Sequence, residues 1–306
     1  MANATAARAT RLVLQPAPPF DFAAAAYSHG WARLAPTEWD EQRQRLRRVE
    51  RLASGNVVDL ALTAQEHGAV AVDVSHVGSL PAADAAEIER KLSHMLRLDE
   101  NFSEFYALCA ARGGRWSVVG AGLGRLLRSP TVFEDVIKTI ATTNTQWGGT
   151  KAMVRGLVDA LGAPYPADPA RRAFPTPEAI AAAPPETLSA ARFGYRAPYV
   201  HELARRVVAG ELDLEGMLDG RRPTAELRHE LLRLKGVGPY AAATLLMLLG
   251  RYDALGYDTV LRDFVSRRYF DGERRPEREM LAVYDDWGRW RYLAYWFEMW
   301  LDDPTA

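Results

Sequence analysis

One stretch constrains this chain more than any other. Leu231–Asp263 reads LLRLKGVGPYAAATLLMLLGRYDALGYDTVLRD, two helix patterns joined by a glycine hairpin, with an acid, Asp258, 20 residues after Gly238. Leu231, Leu232 and Leu234 give the first pattern an apolar end, Lys235 opens the turn, and Gly236 and Gly238 bracket Val237. Glycine accepts positive φ and lets backbone approach a ligand closely. Pro239 can start the next helix, Tyr240–Leu249, because its missing donor costs little in a first turn. The unpaired amides of that turn and the helix dipole favour a phosphate at the hairpin, and Val237 is placed to point inward and lock the two helices. Taken alone, the hairpin is equally compatible with a plain helix–turn–helix connection.

The bulk numbers bound the rest. A chain of 306 residues with 48% apolar content can build one large domain or two to three small ones. A single cysteine, Cys109, excludes an internal disulfide framework and any cluster held by four cysteines. No apolar run reads as a membrane span and the start has no signal-peptide pattern, so an intracellular, cytoplasmic, soluble protein is expected. Lys plus Arg is 38 and Asp plus Glu 39, a net charge of -1. That gives no global argument for a polyanionic partner, although a local basic surface can supply phosphate contacts. The six histidines, at 29, 67, 76, 94, 201 and 229, form neither HExxH nor a Cys/His ligand set, so no metal site is expected.

The patterning divides the chain in two. Residues 1–9 read as frayed, and strand patterns follow at 11–15, 45–53, 56–62 and 68–75, with a helix at 84–97. Residues 10–97 therefore read as an antiparallel sheet domain with one or two packed helices. From 98 to 306 the chain is helical, with patterns at 101–110, 118–128, 131–143, 150–161, 177–183, 186–191, 196–209, 212–218, 223–235 and 277–303. Pro130 reads as a first-turn proline, and Thr176-Pro177-Glu178 as a helix start. The fold class is α+β, mostly helical, with an N-terminal antiparallel sheet and a helix–hairpin–helix at 223–250.

The longer pattern is more specific than the hairpin. Gly236-Val237-Gly238-Pro239-Tyr240-Ala241-Ala242 precedes an apolar helix, the pair Tyr252-Asp253, and then Gly256-Tyr257-Asp258-Thr259-Val260-Leu261-Arg262. This arrangement resembles the helix-hairpin-helix DNA glycosylase superfamily. Trp287-Gly288-Arg289-Trp290-Arg291-Tyr292-Leu293-Ala294-Tyr295-Trp296 and Pro18-Pro19-Phe20-Asp21 look like its alkylpurine (3-methyladenine) branch, and Phe193-Gly194-Tyr195-Arg196-Ala197-Pro198-Tyr199 adds a third matching segment. Some similarity to 8-oxoguanine glycosylases accompanies it. The resemblance covers nearly the whole chain and is densest over 223–268.

The resemblance makes Asp258 the catalytic candidate, a carboxylate that stabilises positive charge as a purine leaves its sugar or helps activate water at C1′. The residue type is equally suited to capping a helix that begins at Thr259, and both roles are compatible. Asp253 is a weaker rival, and Asp263 reads as a solvent or salt-bridge residue. Four-residue spacing offers Arg262 as an ion-pair partner for Asp258. Lyase-competent relatives carry a lysine where this chain has Tyr240, so the resemblance implies base excision without a Schiff base.

A glycosylase must extrude its target from the duplex. The resemblance places the plug and pocket in Thr142–Trp147: Asn144 and Gln146 to fill the gap or meet the opposing base, Trp147 to wedge or stack. Tyr195 is a further pocket candidate, as are Tyr240 and the tail aromatics Trp287, Trp290 and Tyr292, although a helical aromatic stripe more often builds a core. Lys151, Lys235 and Arg262 join Gly236, Val237 and Gly238 as DNA contacts. The expected partner is double-stranded DNA with a damaged base, met by a monomer with no membrane partner and no cofactor, save a structural monovalent cation that the resemblance allows on the hairpin carbonyls. An oxidised-purine glycosylase and a noncatalytic damage-binding protein are the alternatives.

Overall fold

The computed structural model describes residues 7–302. In chain order its strands are β1 (Arg8–Leu14), β2 (Thr37–Asp40), β3 (Arg45–Arg51), β4 (Val57–Ala64), β5 (Val70–His76), β6 (Pro164–Tyr165) and β7 (Asp168–Arg172). Its helices are α1 (Phe22–Ala26), α2 (Ala82–Met95), α3 (Ser103–Arg112), α4 (Trp116–Gly120), α5 (Val132–Thr142), α6 (Trp147–Leu161), α7 (Pro177–Ala181), α8 (Pro185–Ala190), α9 (Ala197–Val208), α10 (Thr224–Leu232), α11 (Pro239–Leu248), α12 (Thr259–Tyr269), α13 (Glu277–Ala282) and α14 (Arg291–Asp302). The expected class holds: a mostly helical protein with an N-terminal antiparallel sheet. The chain forms two compact units. One takes in the described residues of Met1–Asp99 together with Arg125–Glu215, the other Glu100–Gly124 and the described residues of Gly216–Ala306.

In the first unit the sheet runs β1-β5-β4-β3-β2, every pair antiparallel. Leu46, Leu62 and Val72 stand opposite one another across β3, β4 and β5, all buried, and Leu60 faces Val74 in the same manner. Such cross-strand pairs of apolar side chains are the unit of sheet stabilisation. The short hairpin β6–β7 is clipped to this sheet by Asp59, which accepts from Arg47 at 2.7 Å and Arg171 at 2.6 Å, and by a Ser75–Tyr165 hydroxyl pair at 2.8 Å.

A buried charge network ties the sheet to α5. Arg48, 1% exposed on β3, donates to Glu50 at 2.7 Å and to Glu134 of α5 at 3.1 and 2.8 Å. Glu134 also pairs with Lys138 at 2.6 Å, and Lys91 of α2 reaches Glu50 at 2.7 Å. The neighbouring cations hold the Glu134 carboxyl down at about 2 against its burial. Burial without a partner would be prohibitive for any of these charges, so the network fixes α5 against β3 and α2. The head of α5 is closed by Thr131, whose Oγ1 accepts from the Glu134 amide at 3.2 Å, and by Glu215, which accepts from the Val132 and Phe133 amides at 3.1 and 3.2 Å.

The second unit is held by aromatic packing. Trp290 stacks on Tyr252 at 5.5 Å and meets Phe102 at 5.5 Å and Phe105 at 5.6 Å. Trp287 lies between Trp116, at 4.4 Å, and the Arg112 guanidinium, 3.8 Å from its ring centre.

Several element boundaries differ from the sequence expectation. Pro130 precedes the cap Thr131 rather than opening the helix. The helix expected at 118–128 is only α4, because Gly122 and Gly124 take φ of 134° and 109°. The 212–218 pattern gives one tight turn, Glu215–Leu218. The tail is broken into α13, a 3-10 stretch at Asp285–Trp290 with Gly288 at φ 54°, and α14. Strands β2, β6 and β7 are too short to show alternation and were not expected. Of the nine residues read as frayed, 1–6 lie outside the described residues, while Arg8 and Ala9 begin β1.

Candidate functional site

The hairpin is built from Leu234 to Gly238. The Val237 amide returns to the Leu234 carbonyl at 3.1 Å, Gly236 takes φ of 86°, and Val237 is buried, as the sequence led one to expect. Gly238 is the N-cap of α11 and supplies no side chain to it. The Gly238, Tyr240 and Ala241 amides donate to no group among the described residues, and nothing lies within 4 Å of the position a Gly238 Cβ would take. A start with free donors and open space above it is suited to an anion. Lys235 is exposed beside it.

Asp258 is the N-cap of α12. Its Oδ1 accepts from the Leu261 amide at 2.8 Å, and among the described residues Oδ2 has no hydrogen-bond partner. The capping role is therefore real and occupies one oxygen. The expected ion pair with Arg262 does not form. A cap side chain curls back over its own first turn, so Arg262 touches Asp258 only through its amide, which donates to the Asp258 carbonyl at 3.0 Å, and its guanidinium lies 3.5 Å from Asp263. Asp253 accepts from Thr224 at 2.9 Å, tying the loop after α11 to the head of α10.

One buried tyrosine of α14 feels the Asp258 carboxylate. The pKa of the Tyr295 hydroxyl is pushed far up, chiefly by burial and then by the Asp258 carboxylate, Tyr292 and Tyr240. Tyr295 therefore stays protonated within electrostatic reach of the acid. Tyr240, second residue of α11, is 47% exposed. Tyr292 and Tyr295 are buried on the first turns of α14, their rings edge to face at 6.4 Å. Sequence reading included Tyr295 in the tail stripe but did not single it out; its i, i+3 spacing from Tyr292 was the available signal. Trp287 and Trp290 are buried within the aromatic core with Phe102, Phe105 and Trp116, whereas Tyr292 stacks on Trp296 and donates its amide to the Tyr252 carbonyl at 2.9 Å.

The remaining candidates belong to the first unit. Between α5 and α6 the chain turns through Thr143–Gln146, with Asn144 at φ 44° and Asn144, Thr145 and Gln146 exposed. Arg196 clamps this turn, donating from Nε to Thr143 Oγ1 at 3.2 Å and from Nη2 to the Thr143 carbonyl. Its guanidinium lies 4.3 Å from the Tyr195 ring centre, and the Tyr195 hydroxyl accepts from Asn144 Nδ2 at 3.2 Å. Tyr195 is itself 53% exposed. This interlock of the 193–199 and 142–147 segments was not legible in sequence. Trp147 packs its ring over Gly30, where a Cβ would stand 2.5 Å from the indole, so only part of it faces solvent. Lys151 follows one turn later on α6 and is exposed. Among the described residues no three His, Cys, Asp or Glu side chains converge as a metal site.

Comparison with solved structures gives the same fold. A 3-methyladenine DNA glycosylase from Archaeoglobus fulgidus is 22% identical and superposes with a TM-score of 0.74 over 97% of this chain and 100% of that one. An 8-oxoguanine glycosylase/lyase from Clostridium acetobutylicum is 19% identical with a TM-score of 0.62, covering 84% of this chain and 89% of its own. A DNA-3-methyladenine glycosidase from Bacillus halodurans is 19% identical with a TM-score of 0.51, covering 70% and 90%. No match was found among curated proteins. The model of the HhH-GPD superfamily of base excision DNA repair proteins matches residues 137–297, more than half of the chain, and this protein belongs to that superfamily.

Proposed function

We propose that this protein is a monofunctional DNA N-glycosylase that removes an alkylated purine from duplex DNA. The observation that carries the reading is Asp258: an acid fixed by its own cap, with one carboxylate oxygen outside that bond, standing 20 residues after Gly238 in a chain of this superfamily. In this reading the bond from C1′ to the purine breaks with both electrons leaving on the base. The charge left on the sugar is oxocarbenium-like and is stabilised by the Asp258 carboxylate. Water adds to C1′ and yields its proton to that carboxylate, giving an abasic site and a free base. Tyr240 has no amine to attack C1′, so no Schiff base forms and the strand stays intact.

The exposed ring of Tyr240 offers a π face that favours a cationic, alkylated base over a neutral oxidised one. The free amides of the hairpin and Lys235, Lys151 and Arg262 are assigned to phosphates, and the Asn144–Gln146 turn to the gap left by the extruded base. The family's hairpin cation would be held by main-chain carbonyls; that of Val237 accepts no backbone hydrogen bond among the described residues. Such an ion would neutralise phosphate charge next to the turn. The protein is taken to act as a monomer inside the cell.

The test is a panel of duplex oligonucleotides carrying alkylated, deaminated and oxidised bases, assayed with and without alkali. Release of an alkylated purine, with strand breakage only after alkali, is the expected result. Breakage without alkali contradicts the monofunctional assignment. Binding without release from any lesion would favour a damage-binding protein, and release of 8-oxoguanine alone would favour the oxidised-purine reading.

A further inference from the structure

Glu298 is a buried acid that the proposed chemistry does not use. It lies on α14, 5% exposed, and gathers four donors. Its Oε2 accepts from the Tyr269 hydroxyl at 2.6 Å and the Tyr284 hydroxyl at 2.9 Å, and its Oε1 lies 3.2 Å from Arg115 and 3.5 Å from Arg268. Burial and the Glu298 carboxylate both push the two phenols up, so they remain donors across the physiological range. Unlike the charge network of the other unit, this cluster has a single carboxylate at its centre.

The partners show what the cluster holds. Arg268 and Tyr269 are the last two residues of α12, the helix whose cap is Asp258. Tyr284 precedes the 3-10 stretch and sets its ring edge-on to Tyr295 at 5.9 Å. Tyr295 meets Phe264, in the middle of α12, at 6.1 Å. Glu298 and Tyr295 are three residues apart on α14 and so share a helix face. A slide of α12 along α14 would break the bonds at Glu298 and the Phe264–Tyr295 contact, and would carry the Asp258 cap with it.

We propose that Glu298 is a positioning residue for Asp258, holding α12, the helix that this acid caps, in register against α14. The proposal rests on the assignment of Asp258 made above. Misplacement of a reacting group by about 1 Å can cost on the order of 100-fold in rate.

The experiment measures single-turnover release of methylated purines from dimethyl-sulfate-treated duplex DNA by the full chain and by Glu298→Gln, Tyr269→Phe, the double variant and Asp258→Asn. Binding to an abasic-site duplex is measured alongside. The expected result is a fall of about ten-fold or more in rate for Glu298→Gln with binding within about two-fold of wild type, a split that a general loss of structure would not give. The double variant is expected to lose no more than the worse single one, because both act on the same contact. Wild-type rate in Glu298→Gln, or losses that multiply in the double variant, overturns the proposal while leaving Asp258 intact. Wild-type release by Asp258→Asn overturns the underlying assignment whatever Glu298 does. Should Glu298→Gln fail to fold, Tyr284→Phe removes one donor; a rate loss at unchanged binding supports the proposal, and an unchanged rate overturns it.

Discussion

The unit that carries the Asn144 turn and the unit that carries Asp258 are stiffened by different chemistry. In the first, helix α5 is held by ions: Arg48, Glu50, Lys91, Glu134 and Lys138 share buried contacts of 2.6 to 3.1 Å. In the second, the helices around Asp258 are held by rings, with Trp290 on Tyr252 and Tyr295 between Phe264 and Tyr284, and one carboxylate at the base. Ion networks fix position and direction but depend on every member keeping its charge. Ring clusters are insensitive to pH but depend on volume. The two units should therefore fail under different insults.

The largest effect expected is at Asp258 itself. Asparagine caps a helix as well as aspartate does, so Asp258→Asn should leave stability nearly unchanged while base release drops by about 100- to 10,000-fold. Melting and single-turnover assays on the same preparation check both halves. Next, Arg48→Ala strands Glu134 and Glu50 in the interior and should cost about 3–5 kcal/mol in urea unfolding. Trp290→Ala should cost a comparable amount, about 3–5 kcal/mol, through the cavity it leaves. The two differ in pH dependence: if the cost of Trp290→Ala varies with pH as that of Arg48→Ala does, the contrast between the units is wrong.

Acid titration sharpens the contrast further. His29 donates to the Leu127 carbonyl at 2.5 Å, and burial pushes its ring down to about 4. A histidine with a lowered folded pKa binds fewer protons than its unfolded form, so stability should fall as pH drops from about 6.5 to 4, by up to about 3 kcal/mol. Glu134, held at about 2, contributes fully above its unfolded value near 4.5, and that contribution is lost as pH falls from there towards 2. Hydrogen exchange should show the sheet unit opening in acid before the aromatic unit, and His29→Asn should flatten the upper part of the curve. The smallest effect is at the turn: Tyr195→Phe removes the acceptor for Asn144 and should weaken binding to an abasic-site duplex by about 1 kcal/mol or less, read by titration.

How much was legible depended on the range of the interaction. The hairpin, its buried Val237, the proline start of α11 and the cap at Asp258 are local, and the residue types announce them. The mostly helical class and the sheet strands β3, β4 and β5 followed from periodicity. The Arg262–Asp258 pair failed because helix-face spacing does not apply to a cap. The tail was read as one helix because aromatic periodicity continues through Gly288, whose positive φ breaks it. The clamp of Arg196 on Thr143 joins residues 53 apart and has no signature in either segment.

The sequence by itself determined the family, the hairpin and the acid 20 residues beyond it, because backbone conformation and capping are set by neighbours in the chain. Which neighbours the tail aromatics take was decided only by the tertiary structure. Trp287, Trp290, Tyr292 and Tyr295 lie in one continuous stretch of similar side chains and are all buried, and only the packing of the 3-10 stretch on α3 and of α14 on α12 sends the tryptophans to Phe105 and Tyr295 to Phe264. Contact partners are a property of the assembled unit, and composition along the chain cannot assign them.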